Sequence, residues 1–167
     1  KQIKIYQSEQ NRGLAQSVIS GVSLIIHEYG RAIVLEDDLV TSPRFLSFMN
    51  AALDSYANDE QVMQVSGYMY PVEFELQTDA GFLPVVESWG WATWKRAWDK
   101  FDSQASGWQN LRIDANLSNR FDLEGTYGFS QLLIRQMEGS IDSWALRWYW
   151  SVFCVQGLVL YPKQSLV

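Results

Sequence analysis

Hydrophobic and polar positions along this chain predict strands and helices in turn. Ile3-Lys4-Ile5-Tyr6 alternates like a short strand and runs into a polar loop that ends at Gly13. After the loop, apolar residues recur at steps of three and four, which predicts one helix face that Gly30 closes. That face consists of Leu14, Val18, Val22, Ile25, Ile26 and Tyr29. Strand, helix and following strand together predict a parallel β-α-β crossover.

The strand after this helix is predicted from the apolar run that begins at Ala32 and ends in Glu36-Asp37-Asp38. A continuous apolar run of strand length is typical of a strand buried on both faces in a parallel sheet. Ligands bind at the carboxyl ends of such strands, so three carboxylates there are candidates to hold a divalent cation. A solvated turn that bonds its own backbone is the alternative.

The rest of the pattern continues this alternation. Ser42 and Pro43 predict the start of a second helix, which ends near Asn58-Asp59. Residues 102–128 are predicted to be a long surface excursion with short helical pieces, which is typical of lids or substrate-specificity elements. The remaining predicted elements are strands at Val62–Ser66, at Phe82–Val86 (an edge strand because of Pro84) and at Leu158–Tyr161, and helices at Phe129–Glu138 and from Trp144 to Gly157. The fold class is therefore α/β, with a mostly parallel central sheet flanked by helices.

Composition narrows the kinds of chemistry that the chain can carry. With 167 residues, the chain is expected to form one domain. Its net charge of −6 argues against a nucleic acid or an anionic membrane as partner. One Cys and one His exclude an intramolecular disulfide, a cysteine-based zinc site and a multi-histidine site, and His27 is predicted to be exposed. No transmembrane segment is predicted, because no apolar stretch reaches the roughly 18 residues that a membrane helix needs. The remaining candidate chemistry is that of carboxylates and metal.

Three further places in the chain are candidate site positions. Arg12 lies before a helix N-terminus, where anionic ligands bind, although an ordinary solvated arginine is the more common case. Trp89 and Trp91 flank Gly90, whose lack of a side chain indicates a close backbone approach. These indoles are candidate walls of an acceptor pocket, and a tryptophan-rich core is the alternative. Asp142 lies at a predicted helix start, where a carboxylate caps free amides whatever the function.

The stretch Glu87-Ser88-Trp89-Gly90-Trp91-Ala92-Thr93-Trp94 also predicts where core residues begin. A helix is expected to have formed by Trp94, and it would place Ala97, Trp98 and Phe101 in the core. Only Trp89 and Trp91 then remain as candidates for ligand contact.

Together, several motifs resemble the nucleotide-sugar glycosyltransferases of the Rossmann-like GT-A fold. The motifs are Asn11-Arg12-Gly13, the run Val34–Asp38 followed by Ser42-Pro43-Arg44-Phe45, and Glu87–Trp91. The chain is most similar to bacterial sugar transferases related to family 2, and more distantly to N-acetylglucosaminyltransferase I. The resemblance covers nearly the whole chain.

The resemblance implies a role for each matching residue. It implies that Asp38 is the ligand of Mn²⁺ or Mg²⁺, which bridges the donor diphosphate. It implies that Glu36 and Asp37 contact the nucleotide-sugar donor, with Arg12 and Gly13 on the donor side. Asp142-Ser143-Trp144 is similar to the element that carries the catalytic base in N-acetylglucosaminyltransferase I.

The function implied is that of a metal-dependent inverting glycosyltransferase of bacterial polysaccharide biosynthesis, located in the cytoplasm or at the inner face of the membrane. A sugar would pass from a nucleotide-diphosphate sugar, most simply a UDP-sugar, to a hydroxyl of a glycan or other acceptor. Trp89, Gly90 and Trp91 would contact the acceptor, and Glu87 competes with Asp142 for the role of base.

Members of this family begin with a strand and loop that grip the nucleotide base, and this chain matches them from a later strand onward. We therefore expect residues 1–167 to form a truncated GT-A domain that folds but binds nucleotide-sugar weakly or not at all. The alternative function is a non-catalytic carbohydrate- or protein-binding α/β module, with Trp89 and Trp91 as a stacking platform.

Overall fold

The structure, a computed structural model, describes residues 3–72 and 78–167. The helices in the described part of the chain are α1 (Leu14–Tyr29), α2 (Phe45–Ser55), α3 (Lys95–Trp98), a 3-10 helix (Trp108–Arg112), α4 (Ala115–Phe121), α5 (Phe129–Met137) and α6 (Trp144–Cys154). The strands are β1 (Arg31–Val34), β2 (Val62–Ser66), β3 (Ala80–Leu83), β4 (Trp91–Trp94) and β5 (Leu158–Pro162). The chain therefore folds as mixed α/β, as predicted.

The five strands form one open sheet in the order β1-β4-β2-β5-β3. The prediction of a mostly parallel sheet is wrong, because β2 and β5 form the single parallel pair among the described strands. The difference comes from β4, which inserts between β1 and β2 and runs antiparallel to both. The sequence pattern predicts that this tryptophan-rich stretch leads into a helix, and it gives no indication of an antiparallel strand there.

The first part of the chain also differs from the prediction. Ile3–Tyr6 forms no strand, and the side chains of Ile3 and Ile5 are 88% and 87% exposed. The predicted β-α-β crossover into β1 is therefore wrong. β1 lies at an edge of the sheet, and Arg31 at its start is exposed, so the prediction of burial on both faces is also wrong. An apolar run of this length does not distinguish an edge strand from a central one.

Each face of the sheet has its own hydrophobic core. On one face, Phe45, Met49 and Leu53 of α2 are buried against β2, β4 and β5. On the other face, α1, α5 and α6 contribute to a larger core that contains most of the buried aromatic residues. Alternation along β4 divides Trp91 and Trp94 between the two cores.

A buried glutamine joins the sheet to α6. Gln64 of β2 is fully buried. Its Oε1 accepts a hydrogen bond from Nε1 of Trp148 at 2.6 Å, and its Nε2 donates to the carbonyl of Glu87 at 2.7 Å. Both ends of the amide are therefore satisfied, which removes most of the cost of burying it.

Several local predictions are confirmed. Gly30 caps the C-terminus of α1: it has a φ of 77°, and its backbone N–H donates to the carbonyl of Ile26. His27 is exposed, as predicted. The strand Val62–Ser66 is found as β2, the last predicted strand is found as β5, and β3 is an edge strand. Short helices also lie within residues 102–128 as predicted.

The predicted bounds shift by a few residues at α2, β1 and β3. The helix predicted around Trp94 begins only at Lys95, because Trp94 belongs to β4.

Candidate functional site

Most of the residues that the sequence analysis identified lie at one edge of the sheet. This edge is formed by the ends of the strands and not by an outer strand. β1, β2 and β5 run in the same direction, so their carboxyl ends lie at this edge, and β4 begins there. The triplet Glu36–Asp38 follows β1, and Trp89 precedes β4. α1 and α6 lead directly into β1 and β5 and therefore begin on the same side. In open, mostly parallel α/β sheets, ligands bind at the carboxyl ends of the strands, and β2 and β5 are the parallel pair among the described strands here.

Backbone hydrogen bonds hold the loops of this edge together. The N–H of Gly67 donates to the carbonyl of Gly90 at 2.6 Å. The N–H of Leu166 donates to the carbonyl of Gly67 at 2.7 Å, and the N–H of Ser42 donates to Leu166 at 2.8 Å. The loops after β2 and β5 and the entry to α2 therefore form one connected surface.

Glu36, Asp37 and Asp38 form a negative cluster that no ion pair within residues 3–72 and 78–167 compensates. Asp37 and Asp38 are exposed, and among the residues that the structure describes neither forms an ion pair. Burial, together with the charges of Asp38 and Asp37, raises the pKa of Glu36. A cation near this cluster would oppose that effect, so the electrostatics suit a cation.

The geometry limits the kind of metal site that these acids can form. Within residues 3–72 and 78–167, no three acidic, histidine or cysteine side chains converge to hold an ion on their own. Mg²⁺ and similar ions need only one or two carboxylates when water and substrate phosphates complete the coordination. The exposed oxygens of Asp37 and Asp38 fit that kind of shared site.

Gly13 brings the start of α1 close to Asp142. Its φ of 76° and ψ of 164° lie in a region that is nearly restricted to glycine. The side chain of Asn11 accepts the N–H of Gly13 at 2.8 Å, which fixes the turn. A Cβ added to Gly13 would lie 3.8 Å from Oδ2 of Asp142, so the loop before α1 and the loop before α6 meet here. Arg12 is exposed, and together with Tyr6 it lines a cavity of about 370 Å³.

Asp142 is oriented by an arginine and does not cap the helix. The cap of α6 is Ser143, whose Oγ accepts the N–H of Leu146 at 3.4 Å, so the prediction that Asp142 caps the helix is wrong. Oδ1 of Asp142 pairs with Nη2 of Arg147 at 3.0 Å. The side chain of Arg147 is only 15% exposed, whereas that of Asp142 is 61% exposed. Sequence reasoning missed Arg147, because nothing in the motif marks it as the partner.

Of the two candidate tryptophans, only Trp89 is available to a ligand. Trp89 is 47% exposed and packs edge-on against Tyr68 at 4.8 Å between ring centroids. Trp91 is completely buried and stacks on Trp144 at 5.0 Å, so its prediction as an acceptor contact is wrong. The reason is that Trp91 already belongs to β4, with its side chain in the core.

The close backbone approach predicted at Gly90 is confirmed, but the contact is internal. A Cβ on Gly90 would lie 2.8 Å from Val167 and 3.1 Å from Phe45. Gly90 is itself buried and has a φ of 65°. Gly90 therefore allows Val167 and Phe45 to pack closely against the backbone. Its prediction as an acceptor contact is wrong.

Glu87 lies in a setting different from that of Asp142. Its Oε1 accepts the hydroxyl hydrogen of Tyr70, and its side chain lines a largely apolar cavity of about 600 Å³. Burial raises the pKa of Glu87, although the hydrogen bonds from Tyr70 and from the backbone of Ser88 oppose this. Tyr70 was not identified from the sequence, since it belongs to no recognisable motif.

Comparisons with protein-family models, with curated proteins and with solved structures find no match for this chain. Among the described helices, none has the length and apolar character that crossing a membrane requires.

Proposed function

We propose that this chain is a metal-dependent inverting glycosyltransferase domain with a Rossmann-like GT-A fold. The observation that carries the proposal is that the acidic triplet, Gly13, Asp142 and the exposed Trp89 share one edge of the sheet. The acidic triplet and Asp142, which pairs with Arg147, would supply the two acidic positions that such a displacement needs. The common direction of β1, β2 and β5 supports the finer fold proposal.

The acidic triplet is the donor side of the proposed site. Asp38, with help from Asp37, would hold Mn²⁺ or Mg²⁺ through its exposed carboxylate. The bound ion would neutralise the charge that develops on the diphosphate leaving group. Glu36 and the backbone around Gly13 would face the donor, most simply a UDP-sugar.

Asp142 is the proposed base. Its Oδ1 is held by Arg147, and its Oδ2 is directed toward Gly13 as the second acceptor of the carboxylate. In the proposed step, the acceptor hydroxyl oxygen bonds to the anomeric carbon as the bond from that carbon to the diphosphate breaks. The hydroxyl proton passes to Oδ2 of Asp142. Trp89 would offer its exposed indole face to the acceptor, a glycan or a related alcohol.

A transfer assay with UDP-sugars and Mn²⁺ on the full-length natural protein tests this proposal. Asp38→Ala should abolish both transfer and donor hydrolysis while leaving the circular dichroism spectrum unchanged. Asp142→Asn should reduce transfer by a factor of about 10² or more, the usual contribution of a general base. Glu87→Gln should retain activity, because the proposal assigns the proton to Asp142, whereas Glu87 lines a different, largely apolar cavity. Retained transfer by Asp38→Ala would contradict the proposal.

The proposal also includes a location in the bacterial cytoplasm or at the inner face of the membrane.

The second candidate function is a non-catalytic carbohydrate-binding module, and it rests on the exposed Trp89 beside Tyr68. An aromatic pair of this kind can stack on a sugar ring without any metal. Glycan-array binding that persists without Mn²⁺ and without nucleotide, and that Trp89→Ala removes, would favour this function over transfer.

A further inference from the structure

A cavity of about 600 Å³ lies between the segment that joins β3 to β4 and the loop that precedes α5. Its apolar lining comes from Leu83 and Val85 and, further along the chain, from Leu123, Tyr127 and Phe129. The rings of Tyr127 and Phe129 lie 4.5 Å apart and are tilted by 48°. Its volume falls in the range of small-molecule sites, and its lining is mostly apolar with a few polar groups.

The acidic group in this lining is Glu87, which is half-buried. Among the ion pairs of the described residues, none involves Glu87. Its known partners, the hydroxyl of Tyr70 and the backbone of Ser88, are neutral donors. A carboxylate removed from water without a cation is destabilised, and burial accordingly raises its pKa.

We propose that this cavity binds a small ligand that carries a protonated amine on an apolar body. The ammonium group would pair with the carboxylate of Glu87 and lie near the faces of Tyr127 and Phe129, which attract cations. The apolar body would occupy the space between Leu83, Val85 and Leu123. The net charge of −6 favours a cation over an anion.

A ligand rich in hydroxyl groups fits this cavity less well. Besides Glu87, the polar side-chain groups of the lining are the hydroxyls of Tyr70, Thr126 and Tyr127. A bare sugar would leave most of its hydroxyls without partners on the walls of Leu83, Val85 and Phe129, at a cost for each. The inference concerns a ligand other than the donor and does not depend on the proposed transferase activity.

The test is an NMR titration of the chain with 2-phenylethylamine and, separately, with its neutral counterpart 2-phenylethanol at neutral pH. The two probes share the apolar ring and differ in the charged group. We expect the amine to bind about tenfold more tightly than the alcohol, with shifts at Leu123, Thr126 and Tyr127. Equal affinity for the two probes, or no shift at these residues with the amine, would overturn the proposal.

Variants separate the specific carboxylate from general attraction to an acidic protein. Glu87→Gln should remove the preference for the amine, whereas the matched control Glu124→Gln, an exposed acid beside Leu123, should keep it. Tyr127→Ala, at an exposed position, should weaken amine binding several-fold without unfolding the chain. A preference that survives in Glu87→Gln, or is lost equally in Glu124→Gln, would refute the assignment. The titration contains neither metal nor nucleotide, so a failure of the amine to bind would leave the transferase proposal unaffected.

Discussion

Replacing Gly13 by alanine tests whether the turn before α1 has the backbone that brings it against Asp142. The φ of 76° and ψ of 164° at Gly13 are strongly unfavourable for a residue with a Cβ. Space is not the problem, because the nearest atom, Oδ2 of Asp142, would lie 3.8 Å from the new Cβ. The penalty is therefore conformational, and we expect Gly13→Ala to lower the free energy of unfolding by about 1–3 kcal/mol.

Urea unfolding followed by circular dichroism measures this change. Gly21, in the middle of α1, is the matched control, because a Cβ there has nothing within 4 Å. Gly21→Ala should stabilise the protein by roughly 0.5–1 kcal/mol, since alanine favours the helix. The two alanine variants thus have effects of opposite sign. If Gly13→Ala unfolds at the same urea concentration as the wild-type chain, the conformation assigned to this turn is wrong.

Three further predictions concern buried and paired groups. Replacing Gln64 by leucine leaves the indole N–H of Trp148 and the carbonyl of Glu87 without their partner, so urea unfolding should show a loss of roughly 2–4 kcal/mol. Because burial raises the pKa of Glu87, the folded chain holds that proton more tightly than the unfolded chain, and stability falls as pH rises above the ordinary carboxyl value of 4.5. The stability of Glu87→Gln relative to wild type should therefore increase as the pH rises above about 4.5 in urea titrations. Replacing Arg147 by glutamine should lower the kcat of transfer with little change in the donor KM, because it releases Asp142.

Local signals in the sequence were enough to predict much of the secondary structure. Spacing of apolar residues predicted α1, and a glycine with positive φ closed it at Gly30. β2 and β5 were recognisable because each is a short apolar run between turn residues. These features depend on a few neighbouring residues, so a pattern along the chain is sufficient to predict them.

Strand pairing could not be predicted in the same way. β4 is four residues long and lies next to the short helix α3, and its sequence Trp-Ala-Thr-Trp gives no clear period. Its insertion between β1 and β2 depends on contacts between residues far apart in the chain, because Trp91 and Trp94 pack into opposite cores. The sheet that the pattern predicts as mostly parallel therefore contains a strand of opposite direction between β1 and β2.

The candidate site shows the same division. The motifs predicted Asp142 as a candidate, but its partner Arg147 becomes evident only when α6 is built. Trp89 and Trp91 are equivalent in the sequence pattern, and the start of β4 at Trp91 decides that Trp91 is buried while Trp89 is exposed. The cavity beside Glu87 joins segments far apart in the chain, so no local motif could have indicated it.

The central claim is that the acidic triplet holds a cation that binds a diphosphate, and paramagnetic NMR tests it most directly. The chain would be titrated with Mn²⁺ in the presence of inorganic pyrophosphate. We predict that the amide signals of Asp37 and Asp38 broaden first, and that Asp38→Ala removes this effect. Asp54→Ala, which removes an exposed acid paired with Arg31, should leave the broadening unchanged. Broadening spread evenly over the exposed acids, or unaffected by Asp38→Ala, would contradict the account.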